Sequence, residues 1–341
     1  MYFGYIKNTF TSLGRLSSLV VAAMLIVAGV SSAHAAWKPT DTVTIVVPFG
    51  PGGSADRTAR MIHRILTKEK IVDAKIVVVN KGGGGTAIGT RYLAKQKKNP
   101  HYLLIGANPL LGSHILARMN VTYTDFTPIA RLMDDYFGMI VKADSKFKNL
   151  KDFQAALRAN SKAASFGVAS KGGSNHASLG LVLKGLGVDV RNTKIAVFKG
   201  GGKNMTAVLG GHVDLIPAPP AKILPQINAG KVRILGLTSP KRLGGAFKDV
   251  PTFKEQGVDV VFSSWRGVIA PKGITADQRT YWEGVFKKLT ESKDFRATLK
   301  KWQSVPNFMT GKKFETFLAG AYKDLKKTLL DDLGLKKKKK S

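Results

Sequence analysis

Four glycine clusters, each set between a β-branched apolar run and a stretch with helical spacing, limit what this chain can become. They are Gly50-Pro51-Gly52-Gly53-Ser54, Gly82-Gly83-Gly84-Gly85-Thr86, Gly172-Gly173-Ser174-Asn175-His176 and Gly200-Gly201-Gly202-Lys203. Before the first lies VTIVVPF at 43–49; after it, 54–67 carries apolar side chains at Ala55, Ala59, Ile62, Ile65 and Leu66, one face of a helix. A strand at 75–79, a helix at 86–96 and a strand at 102–106 continue the alternation. It returns with strands at 163–168, 194–198, 213–216 and 232–238 and helices at 175–184 and 203–209. After Pro271 the spacing turns helical over 275–290, 292–303 and 313–330. Strands alternating with helices of this length predict βαβ units, mainly parallel sheets and an α/β fold. Two extended stretches, 136–142 and 260–270, read as crossovers between two domains, with 259–262 and 266–270 strand-like. Domain 1 then holds 36–137 and 263–341, and domain 2 holds 138–262.

The junctions also suggest a chemistry. A helix start presents unpaired N–H groups and a partial positive charge, and glycine lets a ligand approach that backbone closely. In parallel sheets such turns lie at the carboxyl ends of the strands, where ligands bind. One cluster of this kind is an ordinary capped turn; four, two for each domain, predict an anion held in a cleft between them.

Other readings fail on particular residues. A phosphate loop needs a glycine, four residues, then Gly-Lys-Ser/Thr, and Gly202-Lys203 lacks both ends of that pattern. Gly82, Gly84 and Ala87 fit a dinucleotide turn, but no acid occurs from Lys81 to Thr124 to hold a ribose. No His-Glu-x-x-His or Gly-x-Ser-x-Gly motif is present, and Ser174 and His176 have no third group placed to orient the imidazole. With no cysteine in the chain, disulfides, thiolate catalysis and thiolate-held metal are excluded. No cofactor and no metal are expected.

The first segment carries Lys7 and Arg15, then an uninterrupted apolar run at 19–30, then Ala33-His34-Ala35. That order predicts a secretory signal peptide cut after residue 35, too short in its apolar part for a membrane span. A mature chain without cysteine has no site for a lipid anchor, which places it free in a periplasm. The formal net charge is +32, from 54 basic and 22 acidic residues. The lysines are scattered rather than striped among aromatics, which argues against nucleic acid and permits an anionic ligand. The run Lys336-Lys337-Lys338-Lys339-Lys340 reads as a solvated tail.

At these same loops the sequence resembles the substrate-binding proteins of tripartite tricarboxylate transporters, the Bug family. VTIVVPFGPGGSADRTAR, VVVNKGGGGTAIGTRYLA, IARLMDDYFGMIVKADSKFKNLKDF, GGSNH, VFKGGGKNMTAVLGGHVDLI, AGKVRILGLTSPKR and DVPTFKEQGVDVVFSSWRGVIAPKGI carry the resemblance in order. PAPPAKI, after Asp214, departs from it, and no contact is carried over there. The resemblance implies a two-domain, type II periplasmic-binding-protein architecture closing on a mono-, di- or tricarboxylate, with citrate-like ligands favoured. It also implies a membrane transporter of one large and one small subunit as partner, and a monomeric receptor that is no enzyme.

On this reading domain 1 grips a carboxylate with backbone N–H groups at Gly52, Gly53 and Ser54 and at Gly84, Gly85, Thr86 and Ala87. Asp56 caps its helix or holds water, and Asn80 and Asn108 orient the ligand from strand ends. Domain 2 supplies Ser174, His176 and the loop Lys199, Gly200 and Gly201, with Asp214 in support. Arg266, on the return crossover, reaches an extra carboxylate. Neutral dipoles do the binding, so no cluster of arginines is expected. Three alternatives stay open: an exported enzyme acting on a small carboxylate through Ser174 and His176, a basic envelope or nucleic-acid interaction protein, and a binding protein that feeds a sensor.

Overall fold

The computed structural model describes residues 37–198 and 200–335. The expected signal segment 1–35, Lys199 and the lysine run 336–340 lie outside the described residues.

The chain builds two sheets by one plan. The first receives β1 (Val43–Val47), β2 (Ile76–Asn80), β3 (Tyr102–Gly106), β4 (Phe126–Tyr136), β10 (Ser263–Pro271) and β11 (Val305–Thr310), in the spatial order β11-β4-β10-β3-β1-β2. The second receives β5 (Gly138–Lys142), β6 (Ser165–Val168), β7 (Lys194–Val197), β8 (Leu215–Ala218) and β9 (Val232–Leu237), in the order β7-β6-β8-β5-β9. In each, three strands run parallel and the next runs against them: β10 beside β3, and β5 beside β8. Both sheets are therefore mixed, and the strand beside the parallel three, β10 or β5, is the one that has just crossed from the other sheet; β11, at the first sheet's edge, also runs antiparallel to β4.

The helices follow the apolar spacing. α1 (Ser54–Lys68) buries Ala55, Ala59, Ile62, Ile65 and Leu66, the face read from the sequence. Each large aliphatic side chain on that face contributes about 1.5–3 kcal/mol of burial free energy. α2 (Ala87–Ala94), α3 (Asn108–Ile115), α4 (Leu150–Ala159), α5 (Ser174–Gly185), α6 (Gly201–Leu209) and α7 (Leu224–Asn228) complete the crossovers, and α8 (Ala276–Glu291), α9 (Lys293–Trp302) and α10 (Gly311–Lys326) follow β10. Asn149, Thr275 and Ser292 cap α4, α8 and α9 with their side chains. The starts of α1, α5 and α6 have glycine at the cap position and no side-chain cap.

Two crossings join the sheets. The outgoing one is a break of one residue, Phe137, between β4 and β5. The returning one passes Phe262 into β10. The strand expected over 259–262 does not form: Val260 N–H bonds back to Val258 and Phe262 N–H to Thr238, so this stretch belongs to a turn. Thr238, fully buried, laces the two crossings. Its Oγ1 accepts the Phe137 N–H at 2.9 Å and donates to the Phe262 carbonyl at 2.7 Å. Its backbone exchanges further bonds with both residues, and the Phe137 and Phe262 rings lie 5.8 Å apart.

The chain's end bridges the same region. α10 packs on α3 and β4, and the π-helical turn Lys327–Asp332 continues onto α5, where Lys184 Nζ meets Asp332 at 2.9 Å. Residues 327–332 thus rest on the middle segment of the chain, although they follow elements of the first sheet.

Candidate functional site

The starts of α1, α5 and α6 line a single cavity of about 910 Å³. Gly52, Gly172 and Gly200 hold left-handed backbone at φ +75°, +70° and +102° just before these helices, a conformation side-chain-bearing residues rarely adopt. Gly52, Gly53, Ser54, Ser174 and Gly201 lie in the wall, with Arg57, Asp135, Phe137, Lys222, Ser264 and Arg266 beside them.

Arg266 is the hub. Its Nη1 donates to Ser264 Oγ at 2.7 Å and to the Trp265 carbonyl at 2.9 Å, and its Nη2 donates to Ser54 Oγ at 3.2 Å. Ser264 Oγ lies 3.3 Å from Ser174 Oγ, so one guanidinium links the loop before α1 to the loop before α5. The Asp135 carboxylate is 3.5 Å from Nη2 and accepts from Ser304 Oγ at 2.6 Å. The buried Nε of Arg266 has no partner among the described residues.

The electrostatics of the wall favour a negative guest. Burial pushes the Arg266 pKa down, Asp135 and Asp134 oppose this, and Arg57 adds to it. Lys222 keeps solvent access but is crowded by protein; that desolvation pushes its pKa down first, with Arg266 and Arg57 adding and Asp135 opposing. Three cations thus face one space with one carboxylate among them. An anion seated there relieves all three. Asn204 and Gln226 also line the cavity, and their side-chain carbonyls have no donor among the described residues.

The other residues named from the sequence sit behind this wall. Asp56 is buried and accepts from the Gly52 N–H at 2.9 Å, the Asn80 amide at 2.9 Å and Arg60 at 3.0 Å. The Arg60 bond is the chief cause that holds its pKa below the usual carboxylate value; burial opposes. Asn80 donates also to the Phe49 carbonyl at 3.2 Å, so Asp56 and Asn80 brace the first loop from beneath. Gly84, Gly85, Thr86 and Ala87 turn toward α3: Ser113 Oγ donates to the Gly85 carbonyl and Thr86 Oγ1 to the Pro109 carbonyl, and none of the four lines the cavity. Asn108 donates to the Ser263 carbonyl at 2.9 Å and faces a different cavity. His176 is buried, with Nδ1 accepting the Gly172 N–H at 3.0 Å; burial, then Lys171, pushes its pKa down to about 4. It is neutral and shapes the loop. Asp214 accepts from the Ser165 N–H and Oγ, each at 2.8 Å, and Gly200 N–H bonds to the Ala169 carbonyl. Lys199 lies outside the described residues.

The expectation of binding by neutral dipoles alone is corrected by Arg57, Lys222 and Arg266, which bring three positive charges to the wall. Arg57 was legible, since it stands three residues after Ser54 and shares its helix face. Lys222 stands in PAPPAKI, where the resemblance lapses, so no motif pointed to it. Asp135 alternates with buried neighbours on β4, and only the pairing of β4 with β10 brings it beside Arg266.

The sequence profile of the tripartite tricarboxylate transporter family receptor matches residues 59–335. The chain belongs to this receptor family. A Cupriavidus necator relative, the UPF0065 protein in the gbd 5′ region, is 28% identical over 93% of this chain and 94% of its own. The periplasmic binding protein BugD is 25% identical with a TM-score of 0.72, over 88% of this chain and 100% of its own. MatC from Rhodopseudomonas palustris, with bound malate, shares the fold at 23% identity and a TM-score of 0.65, over 87% of this chain and 99% of its own. A receptor of this family is a solute-binding protein. Among the described residues no helix is long and apolar enough to cross a membrane.

Proposed function

We propose that this receptor captures a small di- or tricarboxylate, citrate-like in charge, in the cavity at the starts of α1, α5 and α6. The observation that carries the reading is Arg266, which lines this cavity together with Arg57 and Lys222, with only Asp135 to offset the three. Three cations against one anion leave a surplus of two charges, which suits a guest with at least two carboxylates. The uncapped helix starts at Ser54, Ser174 and Gly201 add N–H donors at no reorganisation cost on binding.

In this proposal 36–137 with 263–341 and 138–262 act as two domains that close about Phe137, Thr238 and Phe262. The receptor works as a monomer in the periplasm after removal of 1–35, without a lipid anchor. It delivers its ligand to a transporter of one large and one small subunit and performs no chemistry on it. Ser174 Oγ pairs with Ser264 while His176 Nδ1 is held by Gly172, which supports a binding role for this pair of residues over a catalytic one.

The test is thermal denaturation of ligand-stripped protein with citrate, malate, adipate, acetate and glutamine. A carboxylate at about 100 times its dissociation constant stabilises the fold by about 2.7 kcal/mol. Stabilisation by the di- and tricarboxylates and not by glutamine is the expected pattern; no shift with any carboxylate overturns the proposal.

A further inference from the structure

A smaller cavity, of about 230 Å³, adjoins the anion cavity. It shares Arg57, Asp135 and Lys222 with that cavity and adds Lys301, Trp302 and Ser304. Two segments far apart in sequence make it. On one side the turn Pro220–Lys222 follows Pro219, and two prolines with fixed φ make this turn stiff. On the other side α9 ends at Trp302 and the chain enters β11. Ser304 Oγ donates to Asp135 at 2.6 Å and ties that end to β4.

The annex is basic. Among the described residues neither Arg57, Lys222 nor Lys301 has a carboxylate within ion-pair distance. The Arg57 guanidinium lies 5.6 Å from the centre of the Trp302 ring, a cation–π contact that holds it where the two cavities meet. Lys300 and Lys301 both stand in the last turn of α9, where cations answer the negative end of the helix. Only Lys301 of the two lines the annex. Asp135 is the sole acid in either wall, and Ser304 and Arg266 already engage it. Between the charged ends the shared wall is apolar, since Pro219 and Ala221 line both cavities.

The sheet sets the distance between those ends. β10 and β11 pair with opposite edges of β4, so Arg266 and the end of α9 lie two strand spacings apart, about 10 Å. The carboxyl carbons of succinate are three bonds of about 1.5 Å apart and span about 4 Å, whereas the seven bonds of suberate span about 9 Å.

We propose that this annex is a distal anion subsite, with Lys301 as its specificity-determining residue. It takes the far carboxylate of a guest whose near carboxylate sits at Arg266, and so selects a long, straight diacid over a short one. Pro219 and Ala221 pack on the methylenes between. This rests on the capture of a polycarboxylate in the anion cavity and names the shape of that guest.

The test is calorimetric titration of the ligand-stripped receptor with succinate and suberate. Suberate should bind at least about tenfold more tightly, from its buried methylenes and the added charge contact. Lys301→Met should weaken suberate about threefold, the effect of one exposed charge, and Lys301→Glu should weaken it further. Succinate should change less than about twofold in both variants, because screening over about 8 Å at physiological salt hides Lys301 from a guest held at Arg266. Lys301 is exposed, so both variants should unfold like the parent chain. Succinate binding with suberate no tighter, or a preference for suberate that Lys301→Glu leaves intact, would overturn the annex and leave the anion cavity in place. Binding of neither diacid would overturn both.

Discussion

The Arg266 guanidinium and the Asp135 carboxylate lie 3.5 Å apart on the adjacent strands β10 and β4, both nearly buried in the wall of the anion cavity. The pair holds a cation ready without neutralising the cavity, because Arg57 and Lys222 face the same space. Removing one partner of such a pair has opposite effects on a bound anion, depending on which partner goes.

Arg266→Met keeps much of the side chain's volume and removes its charge and donors. It should weaken binding of a dicarboxylate by at least about tenfold, since a charge-assisted bond contributes about 1.5–3 kcal/mol. Asp135→Asn removes the negative charge and should tighten it. Isothermal titration of both variants checks the pair; a loss of affinity in Asp135→Asn equal to that in Arg266→Met would mean that Asp135 acts only by positioning the arginine.

Lys222 gives a pH dependence. Its pKa in the empty cavity lies below the usual lysine value. A bound anion stabilises the ammonium and raises that pKa, so binding takes up a proton at alkaline pH. Affinity should fall as pH rises through the depressed pKa. Titrations in buffers of different ionisation enthalpy will show the uptake, and Lys222→Met should remove it.

His176 gives the acid limb of stability. It is neutral in the fold, with a pKa of about 4, and about 6.5 in the unfolded chain. The unfolded state binds the proton first as pH falls. The folded state is therefore favoured fully above about pH 6.5 and loses stability down to about pH 4, by at most about 3 kcal/mol. His176→Asn keeps an acceptor for the Gly172 N–H and should flatten this limb in urea unfolding measured from pH 7 to pH 4.

Thr238→Val leaves the Phe137 N–H and the Phe262 carbonyl without their side-chain partner. Two lost buried hydrogen bonds should cost about 2–4 kcal/mol. Urea unfolding of the variant checks the magnitude. A loss below about 0.5 kcal/mol would show that the crossings do not depend on this residue.

The α/β class, the glycine junctions and the buried face of α1 were open to sequence reasoning because each is local. Ser54, Ala59 and Ile62 declare a helix by their own spacing. The cavity was legible in half. Ser54, Ser174 and Arg266 were found because glycine or a crossover marks them. Asp135 and Lys222 were not, because their proximity to Arg266 is a property of strand pairing and of a turn with no motif. Asp56, Asn80 and His176 show the converse: polar side chains beside a glycine loop can be spent on the loop itself, while Asp214 is spent on Ser165 at the start of β6. No local pattern separates a carboxylate that braces backbone N–H groups from one that faces a ligand.

The number of charges on the guest is what the three cations of the cavity select. Calorimetric titration of the ligand-stripped receptor with tricarballylate, glutarate and butyrate varies the number of carboxylates on similar aliphatic bodies. One site per chain, with affinity falling steeply from the polycarboxylates to butyrate, is the result that three cations around Arg266 predict. Butyrate binding as tightly as glutarate, or no heat with any of the three, would contradict it.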